Sequence, residues 1–202
     1  HIDGAEIDPK IIEAGRRFFE MTEPNINAIP QDGRYFLTHS SHQYDVIAID
    51  AYRPPYIPFH LTTREFFREV WDHLSEKGVM AINVGRTNSD YSLVHVLAST
   101  AAAVFPSIYI IDAPDYGSEL GNSLVVATKQ PTKAANLAAN MALMEDQLLI
   151  EVAQMALPTV RPFTEPGVVF TDDKAPVEQV IHGLIVRYVT GDISRQAEQN
   201  NE

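Results

Sequence analysis

The sequence predicts an α/β fold, with a mostly parallel sheet, helices on both faces and a helical C-terminal extension. Two observations carry this. Through residue 130 of 202, short apolar runs alternate with segments of helical periodicity, the pattern that builds parallel sheets covered by helices. After Pro131 the chain becomes rich in Ala, Leu and Met, which favour helix. Residues 1–130 are therefore expected to form the core and residues 131–202 the extension.

Each element has its own signal. Residues 2–6 read as a strand with Glu6 at its carboxyl end. Asp8-Pro9 supplies an N-cap and a proline at the first helical position. Behind it Ile11, Ile12, Gly15, Phe18 and Phe19 recur at helical spacing as a buried stripe. Residues 27–30 form a second strand, ended by the turn pair Asp32-Gly33, and a short helix runs through Tyr35 and Leu37. Residues 44–50 are a strand, with branched Val46, Ile47 and Ile49. A loop rich in proline and aromatic residues covers 51–61. Thr62 and Glu65 have capping-box spacing, and the helix they open keeps Phe66, Phe67, Val70 and Trp71 on one side and stops at Gly78.

A strand at 79–84, a helix at 90–105 and strands at 108–112 and 123–128 follow. No helix separates the last two strands, which predicts an antiparallel hairpin at the sheet edge. Residues 134–155 should form one long helix or two, and 158–166 read as a linker with three prolines. Thr171-Asp172-Asp173 leads through Ala175-Pro176 into a last amphipathic helix, with Asp172 and Asp173 in its N-cap region. The polar residues 192–202 are expected to fray.

Composition narrows the function. A chain of this length buries enough surface to need no staple. It has no cysteine, which excludes thiol nucleophiles, thiolate zinc sites, iron–sulfur clusters and a disulfide framework. The net charge of −12 argues against a sequence-independent nucleic-acid binder, because phosphate needs a basic face. The apolar runs are far too short to span a bilayer. Asp3, Glu6 and Asp8 stand where the basic region of a signal peptide would lie. A soluble, cytoplasmic protein without nucleic-acid or membrane partners is expected.

The ten glycines form no G-x-G-x-x-G cluster, P-loop or nucleophile elbow. In nucleotide-binding sheets a first strand and its glycine loop precede the acid that holds the ribose. A chain opening on an acid-tipped strand is thus expected either to be a fragment without that first strand and loop, or to do without the loop.

Ligands of open parallel sheets bind beyond the carboxyl ends of the strands, and that rule selects Glu6, Asp32 and Asp50. A carboxylate at the first tip can accept from both ribose hydroxyls. An Asp at the second tip can accept from an adenine amino group, while Gly33 lets the base approach the backbone. A carboxylate at the third tip would face the reacting end of the nucleoside. The same residues also suit helix caps and turns. Among the histidines, His39 and His42 share i, i+3 spacing but have no carboxylate at metal-site spacing, so no metal is expected.

The ordered motifs Glu6-Ile7-Asp8-Pro9, Asp32-Gly33-Arg34, Tyr44-Asp45-Val46-Ile47 through Asp50, Leu61-Thr62-Thr63-Arg64-Glu65-Phe66-Phe67 and Gly78-Val79 resemble the polyamine aminopropyltransferases, the spermidine and spermine synthases. Asn122-Ser123-Leu124 and residues 171–178 are similar to a bacterial spermidine-synthase-like branch whose members are sometimes fused to membrane-transporter segments. The resemblance implies a Rossmann-like, class I methyltransferase-type fold and aminopropyl transfer from decarboxylated S-adenosylmethionine to an amine. It implies Glu6 as the ribose acid, Asp32 and Gly33 as the adenine contact and Asp50 as the catalytic acid that takes the amine's proton. Either decarboxylated S-adenosylmethionine or S-adenosylmethionine would be co-substrate, with no prosthetic group, in a homo-oligomer such as a dimer.

The departures bear on the acceptor. Where the family reads D-S-S-D-P-x-G-P, this chain reads Asp50-Ala51-Tyr52-Arg53-Pro54-Pro55-Tyr56-Ile57-Pro58, so Arg53 replaces the second acid and repels a diamine. Asn83 stands near the family's usual glutamine. Tyr52, Arg53, His60 and Tyr116 are candidates to line the acceptor pocket, with Tyr56 beside them; each also suits loop packing. Two other readings stand beside the enzyme: a non-catalytic relative serving as an assembly domain, and an S-adenosylmethionine-dependent methyltransferase.

Overall fold

The computed structural model describes residues 1–52, 56–114 and 118–199, with side chains described to residue 190. It contains two compact units, His1–His42 and Gln43–Glu202. The boundary expected at residue 130 therefore falls inside the second unit.

The first unit runs β1 (Ile2–Ala5), α1 (Pro9–Phe18), β2 (Ile26–Ile29) and α2 (Gly33–His39). β1 and β2 pair in parallel, with Ile2 opposite Ile26 and Ala5 opposite Ile29. Asp8 caps α1 by accepting the Lys10 N–H at 2.8 Å, with Pro9 opening the helix. The apolar stripe of α1 differs from expectation. Ile12 is buried, but Ile11, Phe18 and Phe19 are 57%, 67% and 80% exposed. The cause is geometric: within this unit two four-residue strands offer a helix too narrow a surface to cover three such side chains.

The second unit contains β3 (Tyr44–Ile49), a 3₁₀ turn (Phe59–Leu61), α3 (Arg64–His73), β4 (Leu74–Thr87), α4 (Ser92–Ala102), β5 (Ser107–Asp112), β6 (Leu120–Thr128), α5 (Ala135–Met141), α6 (Gln147–Ala156), β7 (Arg161–Pro162) and α7 (Val177–Gln199). Its strands lie in the order β3-β4-β6-β5-β7. β3 and β4 are parallel, whereas β4–β6, β5–β6 and β5–β7 are antiparallel. The α/β class holds, but the mostly parallel sheet is corrected to a mixed one. The reason lies in β6, which turns back after β5 without a helix and inserts between β4 and β5 instead of adding at the edge. The proline-rich stretch then supplies β7 on the far side of β5, so it is not merely a linker.

Alternation along the strands makes one buried face. Met80, Ile82 and Val84 of β4 share it with Ile49, Val125, Ala127, Ile108 and Ile110. α3 and α4 pack on the sheet through Phe66, Phe67, Val70, Leu93, Val94 and Leu97, all buried. The opposite face is largely open at β3 and β6, where Val46 is 61% and Leu124 40% exposed. α3 and α4 thus cover the buried face of this sheet.

Two helix-end assignments change. The N-cap of α3 is Thr63, not Thr62: its hydroxyl accepts the Phe66 N–H, while Thr62 donates to the Phe59 carbonyl at 2.7 Å. α3 stops at His73, and Gly78 lies within β4 instead of ending the helix. The register between β3 and β4 slips there, and a Cβ at Gly78 would lie 2.8 Å from the Leu74 Cβ. The end of α3 is held by Lys129, whose ammonium donates to the carbonyls of Trp71 and Leu74 at 2.9 and 2.6 Å. Lys129→Met keeps the aliphatic stem and deletes these bonds. It is expected to cost about 1–2 kcal/mol, read as a thermal midpoint lowered by roughly 2–8 °C.

The C-terminal segment is tied into this unit. Ser99 and Thr100 of α4 accept the N–H groups of Gly167 and Phe170 at 2.9 and 3.0 Å, and Phe170 is buried. Asp172 accepts from the Thr63 hydroxyl at 2.6 Å, and its own N–H donates to Glu65. That acid therefore supports the start of α3, a role not foreseen for it. The Ala- and Leu-rich stretch forms two helices, α5 and α6. α7 continues to Gln199, through much of the segment expected to fray, and residues 200–202 lie outside those described.

Candidate active site

The three predicted acids all follow strands. Glu6 directly follows β1, Asp32 lies three residues past β2, and Asp50 directly follows β3. In the first unit the ladder continues past the strand ends: the Glu6 N–H donates to Ile29 O, and the Gln31 N–H donates to Glu6 O. The Glu6 carboxylate accepts the Asp8 N–H at 2.8 Å through Oε1. Its Oε2 makes no hydrogen bond among the described residues. Asp32 is the N-cap of α2 and accepts the Tyr35 N–H at 2.9 Å. A Cβ built on Gly33 would meet no atom within 4 Å, so the backbone there is open to an approaching group.

In the second unit the register β3–β4 pairs Ile49 with Ile82. The next pair places Asp50 beside Asn83, whose Nδ2 donates to Asp50 Oδ1 at 3.0 Å. One oxygen of an exposed carboxylate is thereby fixed, and Oδ2 has no partner among the described residues. Gly85, two residues along β4, donates its N–H to the phenolic oxygen of Tyr52. Burial raises the Tyr52 phenol above its usual range; the Gly85 hydrogen bond lowers it in part, and the charge of Asp50 adds to the rise. Tyr52 therefore stays neutral through physiological pH.

Other candidates separate. His60 sits in the 3₁₀ turn, edge-on to Phe59. Arg53 and Tyr116 lie outside the described residues. His39 stacks on Tyr35 at 4.1 Å, whereas His42 lies 3.5 Å from Asp3, so the two have different neighbours. Among the described residues no group of three His, Asp or Glu side chains could hold a metal, and no helix is long and apolar enough to cross a membrane.

Two features of this end of the sheet were not foreseen. Tyr56 bonds His182 of α7 at 2.6 Å, tying the segment after Asp50 to the last helix. Beyond Gly85, Asp112 at the end of β5 accepts from Arg161 at 2.6 Å, Ser123 at 2.6 Å and Tyr91 at 3.1 Å. Buried Arg86 bonds Ser123 at 2.9 Å and lies over the Tyr91 ring. Burial pushes the Asp112 carboxyl up, but the hydrogen bonds from Arg161, Ser123 and Tyr91, with the charge of Arg161, outweigh it and hold the group below the usual carboxylate value. These residues brace the strand tips and leave no open acceptor. Pair register could have revealed Asn83; partners 49 or more residues apart, such as Arg161 and Asp112, carry no local signal.

A family model described as the spermine/spermidine synthase domain matches residues 1–136. A probable polyamine aminopropyl transferase of Bifidobacterium longum is 33% identical over 198 residues, spanning 88% of this chain and 43% of the relative. A polyamine aminopropyltransferase of Vibrio vulnificus is 33% identical over 141 residues, 67% of this chain and 45% of the relative. The chain thus spans less than half the length of these relatives. Among solved structures, a probable spermidine synthase from Corynebacterium glutamicum aligns with a TM-score of 0.60 at 20% identity, covering 76% of this chain and 61% of that one. A spermidine synthase in complex with the transition-state analogue AdoDATO aligns at 0.59 and 24%, covering 77% and 58%. At those identities the structural likeness concerns the fold.

Proposed function

The chain belongs to the spermine/spermidine synthase family, and from that premise we propose that it serves aminopropyl transfer from decarboxylated S-adenosylmethionine to an amine. The observation that carries the reading is Asp50, a carboxylate at a strand tip with one oxygen held by Asn83 and the other unengaged among the described residues. A primary amine titrates near ~10 and arrives protonated, so it cannot attack carbon until a base removes a proton. Asp50 orients the amine and removes a proton from it, and the lone pair so freed attacks the aminopropyl carbon. The new C–N bond forms as the C–S bond breaks, and the sulfonium leaves as a neutral thioether. No prosthetic group enters this reaction.

Glu6 accepts from the ribose hydroxyls through Oε2, while Asp32 and Gly33 receive the adenine. Calorimetry of the intact protein with decarboxylated S-adenosylmethionine, S-adenosylmethionine and methylthioadenosine tests the reading. Heat is expected with the first and third, and silence with all three sinks it. Glu6→Gln removes a charge-assisted acceptor and is expected to weaken nucleoside binding about 10–100-fold. Unchanged affinity in that variant would take Glu6 out of the site.

A further inference from the structure

We propose that Tyr52 sets acceptor specificity, by walling the space beside Asp50 and presenting a phenolic proton there, so that the favoured acceptor is a monoamine whose far end is an uncharged hydrogen-bond acceptor, not a diamine. The proposal rests on the aminopropyl-transfer reading and names the acceptor class of that site.

Asn83 and Gly85 alternate on one face of β4, the open face, and Asn122 lies opposite Gly85 on β6. Asn83 holds Asp50, so the floor next to the carboxylate is Gly85. That floor is already covered: a Cβ on Gly85 would lie 3.5 Å from the Tyr52 oxygen and 3.9 Å from Asn122 Oδ1. The tyrosine, two residues after Asp50, thus reaches from the tip of β3 to the second position beyond the Asp50–Asn83 pair.

Its hydrogen bonding decides what it can receive. The phenolic oxygen accepts the Gly85 N–H, which pins the ring. The O–H has no acceptor among the described residues, and the raised phenol keeps that proton in place. An ammonium carries donors only and leaves the proton unpaired. A hydroxyl, ether or amide oxygen pairs with it. Sites built to pair a polar group discriminate strongly against ligands that cannot do so.

Two acceptors of equal length separate the cases: 4-amino-1-butanol and 1,4-diaminobutane. With decarboxylated S-adenosylmethionine and the intact protein, kcat/KM from methylthioadenosine release is expected to favour the amino alcohol. Tyr52→Phe keeps the ring and should reduce that preference about 10–100-fold. Tyr52→Ala, which opens the wall, should reduce it and raise use of the diamine. A wild-type preference for the diamine, or a ratio unchanged in both variants, overturns the proposal. Absence of turnover with any amine overturns the transfer reading instead. In that event the calorimetric affinity ratio of the two amines, compared between wild type and Tyr52→Phe with methylthioadenosine present, decides the role of Tyr52 by the same criterion.

Discussion

Asp50→Asn is expected to lower turnover about 10²–10⁴-fold, roughly 3–5 kcal/mol of barrier, while nucleoside affinity stays within about twofold of wild type. Asn is nearly isosteric and can still accept the Asn83 hydrogen bond through its one carbonyl oxygen. It cannot take up a proton at working pH, so the amine stays protonated. Affinity is expected to be spared because the proposed role of Asp50 concerns the amine and not the nucleoside. The check is single-turnover release of methylthioadenosine beside a binding isotherm for the donor. Were Asp50 a turn former only, Asn would serve as well there and both measurements would be unmoved. That outcome removes Asp50 from the mechanism.

Asp112→Asn is expected to produce the largest loss of stability, about 2–4 kcal/mol and roughly 5–15 °C in the thermal midpoint. The carboxylate lies between Arg161 and buried Arg86, 2.6 and 3.6 Å away. Neutralising it leaves two guanidinium groups facing one another around Tyr91 without a counter-charge. The estimate sits below that for a fully buried pair, because Arg161 is partly exposed and solvent screens it. The effect has a defined pH dependence. The folded carboxyl titrates below its unfolded value near ~3.9. Its contribution is therefore complete above that value and disappears as pH falls through the lower folded value. The stability gap between wild type and Asp112→Asn should be constant from pH 7 to about pH 5 and close below about pH 4. Denaturant unfolding across that range checks it, and a gap that does not narrow as pH falls below about 4 would assign the loss to shape and not to charge.

Much of the fold was legible because its signals are local. Asp8-Pro9 announced α1, branched residues announced β3, and the acids at strand tips followed from placing Glu6, Asp32 and Asp50 after apolar runs. Periodicity also marked which side of each element is apolar, though not whether anything covers it. Ile11, Phe18 and Phe19 carry a correct helical spacing and are exposed all the same, since burial belongs to the surface opposite and not to the helix.

By itself the sequence determined the α/β class, the order of its main elements and the position of each candidate acid, because capping, strand propensity and turn chemistry act over a few residues. Only the tertiary structure decided how the strands sort. A hairpin can add at an edge or insert, and β6 inserts between β4 and β5, which makes the sheet mixed. It likewise decided the partners of the candidate groups. Asn83 meets Asp50, Gly85 meets Tyr52, and Asp172 supports the start of α3 across 109 residues of chain. Such pairings depend on strand register and on the path of the chain over the core, and neither is written in the few residues around any one side chain.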